Sequence, residues 1–213
     1  MLDYFIGWSM SRTTRNNFIS AIVLAGGKSS RFGQDKAFAK LGDSTIVESL
    51  FFPLFLIFDQ VIVVTNYPEK YQRFPVKVVV DKVKERGPLG GIYTGLLASN
   101  TERNFVVACD MPLVNPRLIS YLASIKEGQV VVPQIKDKLE PLLAVYSKSC
   151  LPAIEAQLRT GNNKIQNFFD KVNTNVIKEE YIKRFDPTLT SFLNINLQKD
   201  LRKIKIQQCR GGL

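Results

Sequence analysis

"FISAIVLAGGKSSRFGQDKAF" (residues 18–38) decides how the rest of the chain is read. Its opening, "FISAIVLA" (18–25), is short, β-branched and continuously apolar, and it runs straight into Gly26 and Gly27. Such a run reads as a strand buried on both faces of a sheet. The residues behind it suit a phosphate-holding turn. Gly26 and Gly27 permit close backbone approach, while Lys28, Arg31 and Lys36 add positive charge. Neither common phosphate loop fits, however. A Walker A loop needs glycine where Ile22 stands, and a GxGxxG pattern fails because Gly26 and Gly27 are adjacent and the next glycine is Gly33. The bland alternative is a glycine turn between strand and helix with solvated lysines.

Outward from this stretch, strand-like and helix-like segments alternate. Residues 60–66, 75–81 and 104–110 read as further strands, and 44–58, 91–99 and 115–128 as helices. Ser44 is the expected N-cap of the first helix, with Glu48 one turn in; Asn115 and Pro116 are the expected cap and first residue of the third. Pro53 is expected to kink or start the first helix. Residues 129–135 and 140–148 read as strands flanking the turn "KDK", 151–159 and 164–170 as helices, and 175–181 and 192–196 as short strands before a last basic helix. The alternation predicts an α/β fold: a Rossmann-like three-layer α/β/α domain with a mostly parallel central sheet. One domain over residues 18–206 is expected, with 1–17 an N-terminal extension, Met10 an alternative start, and 207–213 a tail.

Composition narrows the chemistry. The chain has 213 residues and a formal charge of +10, from 29 basic and 19 acidic side chains. Half of that excess lies in residues 151–213, which hold 11 Lys/Arg against 6 Asp/Glu. A basic balance suits an anionic partner, or simply a lysine-rich surface. There is no histidine, which excludes Ser-His-Asp hydrolysis, Cys-His proteolysis and His-ligated zinc. Cys109, Cys150 and Cys209 lie far apart without CxxC spacing, which argues for a reducing cytoplasm over a disulfide framework. The longest apolar run, residues 50–58, is short of the ~20 residues of a membrane span, and the N-terminus makes a poor signal peptide. No membrane and no nucleic-acid partner is expected.

In an open α/β sheet, ligands bind at the carboxyl ends of the strands. Asp81 and Asp110 end two of the expected strands. Asp110, in "VVACDMPLV" (106–114), is a hard oxygen ligand suited to Mg²⁺, which needs only one or two carboxylates; Asp81 is expected to help. The bland readings are a turn cap for Asp110 and a salt bridge to Lys82 or Arg86 for Asp81. "ERGPLGG" (85–91) reads as a loop that presses backbone against a base or phosphate, or as an ordinary turn. Together these pieces point to phosphoryl or nucleotidyl transfer, which needs positioning and charge stabilisation more than a protein nucleophile.

"LAGGKSSRFGQDKA" (24–37) resembles the nucleotidyltransferase signature LAGG-x-S-x-R-M-G-x-D-K-A, with Phe32 in place of Met. With Asp81, "GPLGG" (87–91), "ACDMPLV" (108–114) and "FLNINLQKDL" (192–201), the chain resembles the molybdenum cofactor guanylyltransferases, the MobA family. In the last segment "NLQKD" departs from the family's Thr-Pro-Glu. The resemblance implies transfer of GMP from GTP to Mo-molybdopterin with Mg²⁺ and release of pyrophosphate. By motif, Leu24, Ala25, Gly26, Gly27, Lys36, Asp81 and Asp110 would bind the nucleotide, Asp110 would hold the metal, and Arg31 would face the phosphates. Glu140, Pro141, Asn194 and Asn196 would meet the acceptor. The implied partners are GTP and Mo-molybdopterin, and beyond them molybdoenzyme apo-proteins or other cofactor-biosynthesis proteins. The alternatives are a cytidylyltransferase or sugar-phosphate enzyme of the same fold, or a non-catalytic nucleotide and cofactor carrier.

Overall fold

A computed structural model of the chain describes residues 19–26, 36–83 and 85–195. The first strand, β1 (Ile19–Leu24), is buried at every position. It is followed by the two-residue hairpin strands β2 (Lys40–Leu41) and β3 (Ser44–Thr45), then α1 (Ile46–Ile57), β4 (Val61–Thr65), β5 (Lys77–Val80) and α2 (Gly87–Ala98). Next come β6 (Arg103–Ala108), α3 (Pro116–Ser124), β7 (Val130–Ile135), β8 (Lys138–Leu139) and β9 (Leu143–Ser147). The last described elements are α4 (Leu151–Arg159), a 3-10 turn Ile165–Lys171, β10 (Thr174–Lys178), α5 (Glu179–Ile182) and a 3-10 turn Thr190–Phe192.

An eight-stranded sheet runs β10-β7-β9-β6-β1-β4-β5, with β8 alongside β7. The pairs β1–β4, β4–β5, β1–β6 and β7–β10 are parallel, whereas β9 lies antiparallel between β6 and β7. The strand order reverses at β1: the chain moves from β1 to β4 and β5, then returns to place β6 on the other side. Because strand side chains alternate, the continuous apolar runs feed two cores. Ala21, Val23, Val63 and Val107 pack under α1 and α3, and Ile22, Leu24, Ile62 and Val106 pack under α2 and α4. This is the expected three-layer arrangement. Among the described residues no helix is long and apolar enough to cross a membrane.

Several local expectations change. Thr45, not Ser44, caps α1: its hydroxyl accepts from the Glu48 N–H at 3.3 Å, and the Glu48 carboxylate accepts from the Thr45 N–H at 2.8 Å. Ser44 is committed to the β2–β3 hairpin opposite Leu41. Pro53 lies inside α1 and does not start it. Helix α3 stops short of residue 128 because the Arg103 guanidinium takes the carbonyls of Ile125, Lys126 and Gly128. The strand expected over 175–181 ends at Lys178, where Glu179 and Glu180 open α5 at the end favoured by negative charge. Residues 192–195 form no strand; the last basic helix falls outside the described residues.

The largest correction concerns "GPLGG", which is the first turn of α2 and not a loop before it. Gly87 takes φ +58° at the entrance, and Pro88 follows with the φ a first helical turn requires. Gly91 and Gly95, one turn apart, then face β1. A Cβ on Gly95 would stand 2.5 Å from Ile22 Cγ2, and one on Gly91 would stand 3.1 Å from Leu24 Cδ2. The Ile22 methyl is a stiff β-branched stub in a wholly buried strand, whereas the Leu24 methyl ends a flexible side chain. Gly95→Ala should therefore destabilise the fold by about 1–3 kcal/mol despite the better helix propensity of alanine. Gly91→Ala should change stability by less than about 1 kcal/mol. Urea denaturation of the two variants checks the contrast.

Candidate active site

Strand register brings the sequence-predicted residues to one edge. Leu24 pairs with Val64 on one side and with Ala108 on the other, and Thr65 pairs with Val80. The residues that follow these positions, Ala25 and Gly26, Asn66, Asp81, and Cys109 and Asp110, therefore share the carboxyl edge of the sheet, centred on the point where strand order reverses. Backbone bonds continue the ladder past the strand ends: Ala25 N–H to Val64 O at 2.8 Å, Cys109 N–H to Leu24 O at 3.0 Å, and Asp81 N–H to Thr65 O at 3.3 Å. The buried Thr65 hydroxyl donates to Ala25 O at 3.2 Å and accepts from the Tyr67 N–H at 3.1 Å. Gly26 is exposed, and a Cβ there would meet nothing within 4 Å among the described residues. The backbone of Ala25 and Gly26 is thus held from beneath and, among the described residues, open above.

Asp81 is held by one oxygen. Its Oδ1 accepts from the Val83 N–H and from the Thr94 hydroxyl, each at 3.0 Å, and Thr94 Oγ1 accepts in turn from the Lys82 N–H at 3.2 Å. Thr94 is fully buried on α2, beside Gly95. Among the described residues Oδ2 takes no hydrogen bond and Asp81 makes no ion pair with Lys82 or Arg86, so the bland reading of Asp81 does not hold there. The N-terminus of α2 points to the same edge, and Arg86 at its cap position supplies no side-chain acceptor. Its first-turn amides and the positive end of its dipole are available to an anion.

Asp110 follows β6, and its carbonyl accepts from the Ile195 N–H at 2.9 Å. Asn115, not Asp110, caps α3, through the Arg117 N–H at 2.9 Å. Between Asp110 and Asp81 stand β1 and β4, a separation of about 14 Å at ~4.8 Å per strand. The two carboxylates do not share one metal ion, which corrects the expectation that Asp81 assists Asp110. Among the described residues no three His, Cys, Asp or Glu side chains cluster in a metal cage.

The acceptor candidates reach this edge from the other side. Because β9 runs antiparallel to β6, its beginning lies beside the end of β6, and Ala108 N–H donates to Leu142 O at 3.1 Å. Glu140 and Pro141 precede it. The Pro141 carbonyl accepts from the wholly buried Tyr146 hydroxyl at 2.7 Å, and burial raises the Glu140 carboxyl from its ordinary pKa. Asn194 is exposed and adjoins Ile195, which is fully buried against Leu41 and Ile46. Gly27, Arg31 and Asn196 lie outside the described residues, as does the side chain of Lys36, whose backbone opens a 3-10 turn. Cys150 is no nucleophile at neutral pH, since burial pushes its thiol up to about 12.

Sequence reasoning missed Thr65, Asn66 and Thr94. Asn66 could have been found by applying the strand-end rule to the second strand as to the others. Thr94 carried only a weak signal, a hydroxyl among the apolar and glycine residues of "GPLGGIYTGLLA".

A mostly parallel sheet with Gly26 after its first strand and Asp81 and Asp110 after two others is the arrangement of an α/β nucleotide-binding domain. The family described as "MobA-like NTP transferase domain" matches residues 21–176, and the chain belongs to it. It is 39% identical over 194 residues to a probable molybdenum cofactor guanylyltransferase of Peptoclostridium acidaminophilum, covering 87% of this chain and 88% of that one. It is 35% identical over 193 residues to the molybdenum cofactor guanylyltransferase of Syntrophotalea carbinolica, covering 89% and 92%. Among solved structures, molybdopterin-guanine dinucleotide biosynthesis protein A from Archaeoglobus fulgidus superposes with a TM-score of 0.77 at 26% identity, over 90% of this chain and 99% of that one. A 4-diphosphocytidyl-2C-methyl-D-erythritol synthase from Anaerococcus prevotii shares the fold alone, with a TM-score of 0.67 at 14% identity over 91% and 97%.

The Thr94 contact has a measurable consequence. Thr94→Val removes one bond from the Asp81 carboxylate and strands the Lys82 N–H, and should lower stability by about 1–3 kcal/mol. Thr94→Ser keeps the hydroxyl and should cost less than Thr94→Val in the same denaturation experiment.

Proposed function

We propose that this chain transfers GMP from GTP to the terminal phosphate of Mo-molybdopterin, in the cytoplasm, and that the product passes to molybdoenzyme apo-proteins. The observation that carries the reading is the meeting of Gly26 and Asp110 at the carboxyl ends of the neighbouring strands β1 and β6. The Gly26 backbone, open among the described residues, thereby stands one strand spacing, about 5 Å, from the backbone that carries a carboxylate able to hold a cation on the nucleotide's phosphates. The names of the relatives at 35–39% identity support guanylyl transfer.

An acceptor phosphate oxygen attacks the α-phosphorus of GTP. A new P–O bond forms, the bond from the α-phosphorus to the α–β bridging oxygen breaks, and pyrophosphate leaves with that bonding pair. In this reading the backbone of Leu24, Ala25 and Gly26 holds the nucleotide, and Asp81 presents Oδ2 to one of its donors. Gly27 and Arg31 are assigned to the phosphates and Lys36 to the nucleotide, as the sequence motif implies. Asp110 suits Mg²⁺: it is a hard oxygen donor that, among the described residues, belongs to no cluster of three potential ligands, so such an ion keeps places for phosphate oxygens and water. When bound, the metal supplies charge neutralisation at the α-phosphate. Glu140, Pro141, Asn194 and Asn196 orient the acceptor, whose negative charge the basic last third of the chain attracts.

Pyrophosphate release, measured with GTP, CTP or UTP and the pterin acceptor, tests this directly. GTP is expected to support turnover; turnover with CTP alone would remove the guanylyl assignment. Asp110→Asn should lower kcat by roughly 10²–10³-fold while the unfolding midpoint stays near that of the parent. Near-parental turnover in that variant would sink the assigned role.

A further inference from the structure

Helix α1 stays apolar on the flank that faces away from the sheet. Its only polar residues are Glu48 and Ser49, both near its start, and residues 50–57, "LFFPLFLI", are apolar throughout. Val47, Leu50, Phe51 and Leu54 fill the core beneath the helix. Phe52, Phe55 and Leu56, spaced i, i+3 and i+4, form a stripe on the outer flank, with Phe52 57% exposed and the other two half-buried. A surface helix ordinarily carries charged or polar side chains there. The far end of α1 has a second feature. Its last turn holds no basic residue and the exposed Asp59 follows it, so the negative end of the helix dipole and a carboxylate meet at one place.

The chain carries the complement to both features in its own sequence. Leu2, Tyr4, Phe5, Ile6, Trp8 and Met10 crowd its beginning, and residues 11–17, "SRTTRNN", form a polar spacer that contains Arg12 and Arg15. Residues 1–17 lie outside the described residues and precede the part of the chain that matches the family. The point at which they join the fold is fixed. Ala21 pairs with Val61 in parallel register, and its N–H donates to Gln60 O at 2.9 Å, which sets Ile19 beside Asp59 and the end of α1. Measured from Ile19, Trp8 has a reach of about 36 Å at ~3.3 Å per residue. Phe52 lies only about 10 Å back along the helix from Asp59, at ~1.5 Å per residue, with about one helix diameter to cross, ~10 Å. The tether is therefore long enough, and it holds the apolar cluster near the stripe at an effective concentration in the millimolar range, well above that of a second copy in dilute solution.

We propose that the outer stripe of α1 is the docking site of the chain's own N-terminal segment. The aromatic cluster around Trp8 covers Phe52, Phe55 and Leu56, and Arg12 and Arg15 serve the carboxyl end of the helix and Asp59. The docking holds whichever nucleotide the catalytic edge takes. Trp8 is the only tryptophan of the chain, so tryptophan emission reports on residue 8 alone. In the full chain, dilute and without ligand, that emission should be blue-shifted from free N-acetyltryptophanamide and less open to acrylamide quenching. Phe52→Asp should lower the ratio of docked to free segment at least about tenfold, read as a red shift and stronger quenching, because burial of a Phe side chain is worth at least that factor. Phe52→Ser, which adds no charge, should shift both readings in the same direction. Leu97→Asp, at an exposed apolar position on α2 across the sheet, should leave both at the parental value. Parental emission equal to that of the free fluorophore, or emission unmoved by both Phe52 variants, would overturn the proposal. So would emission that follows protein concentration while the parent sediments as a dimer, which gives the stripe to a second copy.

Discussion

The close seating of α2 on β1 is the constraint on which the candidate site depends. Gly91 and Gly95 remove the side chains that would hold the helix away from Leu24 and Ile22. The helix lies down against the strand, and three consequences follow. Its N-terminal amides reach the carboxyl edge beside Gly26. Thr94, the residue before Gly95, is buried where it meets the Asp81 carboxylate. Leu89, Ile92 and Leu96 fill the core on that face. A bulkier residue at Gly95 would disturb all of these together, because the strand beneath is central and rigid.

A second fastening acts from the end of the described chain. The buried Asp186 carboxylate accepts from the Thr190 N–H and hydroxyl and from the Ser191 N–H, which folds residues 186–191 into a compact turn. Ser191 then accepts from the Asn115 N–H at 2.9 Å, and the Asn115 side chain donates to Phe185 O at 3.0 Å. The segment ends with the Ile195 side chain in its own small core and its N–H on the Asp110 carbonyl. The loop after β6 is therefore anchored by a strap that arrives from far along the sequence, and Asn194 is delivered to the edge by the same strap.

Much of this was legible in the residues. Strands buried on both faces need continuous apolar runs, so β1, β4, β6 and the edge they share could be read directly, along with the glycines and Asp110 that follow them. What required the fold was spatial order. Adjacent in the argument from sequence, Asp81 and Asp110 are separated by two strands, because chain order places β4 and β5 on one side of β1 and β6 on the other. "GPLGG" looked like a loop since glycine and proline usually break structure; here proline starts a helix and the glycines let it approach the sheet. "FLNIN" alternates as a strand would, yet the Phe192 and Leu193 N–H groups bond back to the Leu189 and Thr190 carbonyls in a 3-10 turn, and only the Ile195 N–H reaches across, to the Asp110 carbonyl. Thr94 gives only a weak sign of its role, because that role lies in a partner 13 positions away.

The central claim is that the bond broken lies at the α-phosphorus. Parallel reactions with α-labelled and γ-labelled GTP, followed by separation of the pterin product from pyrophosphate, test it most directly. The account predicts α-label in the pterin product and γ-label in pyrophosphate. Transfer of γ-label to the acceptor, or acceptor left unlabelled by both, would contradict it.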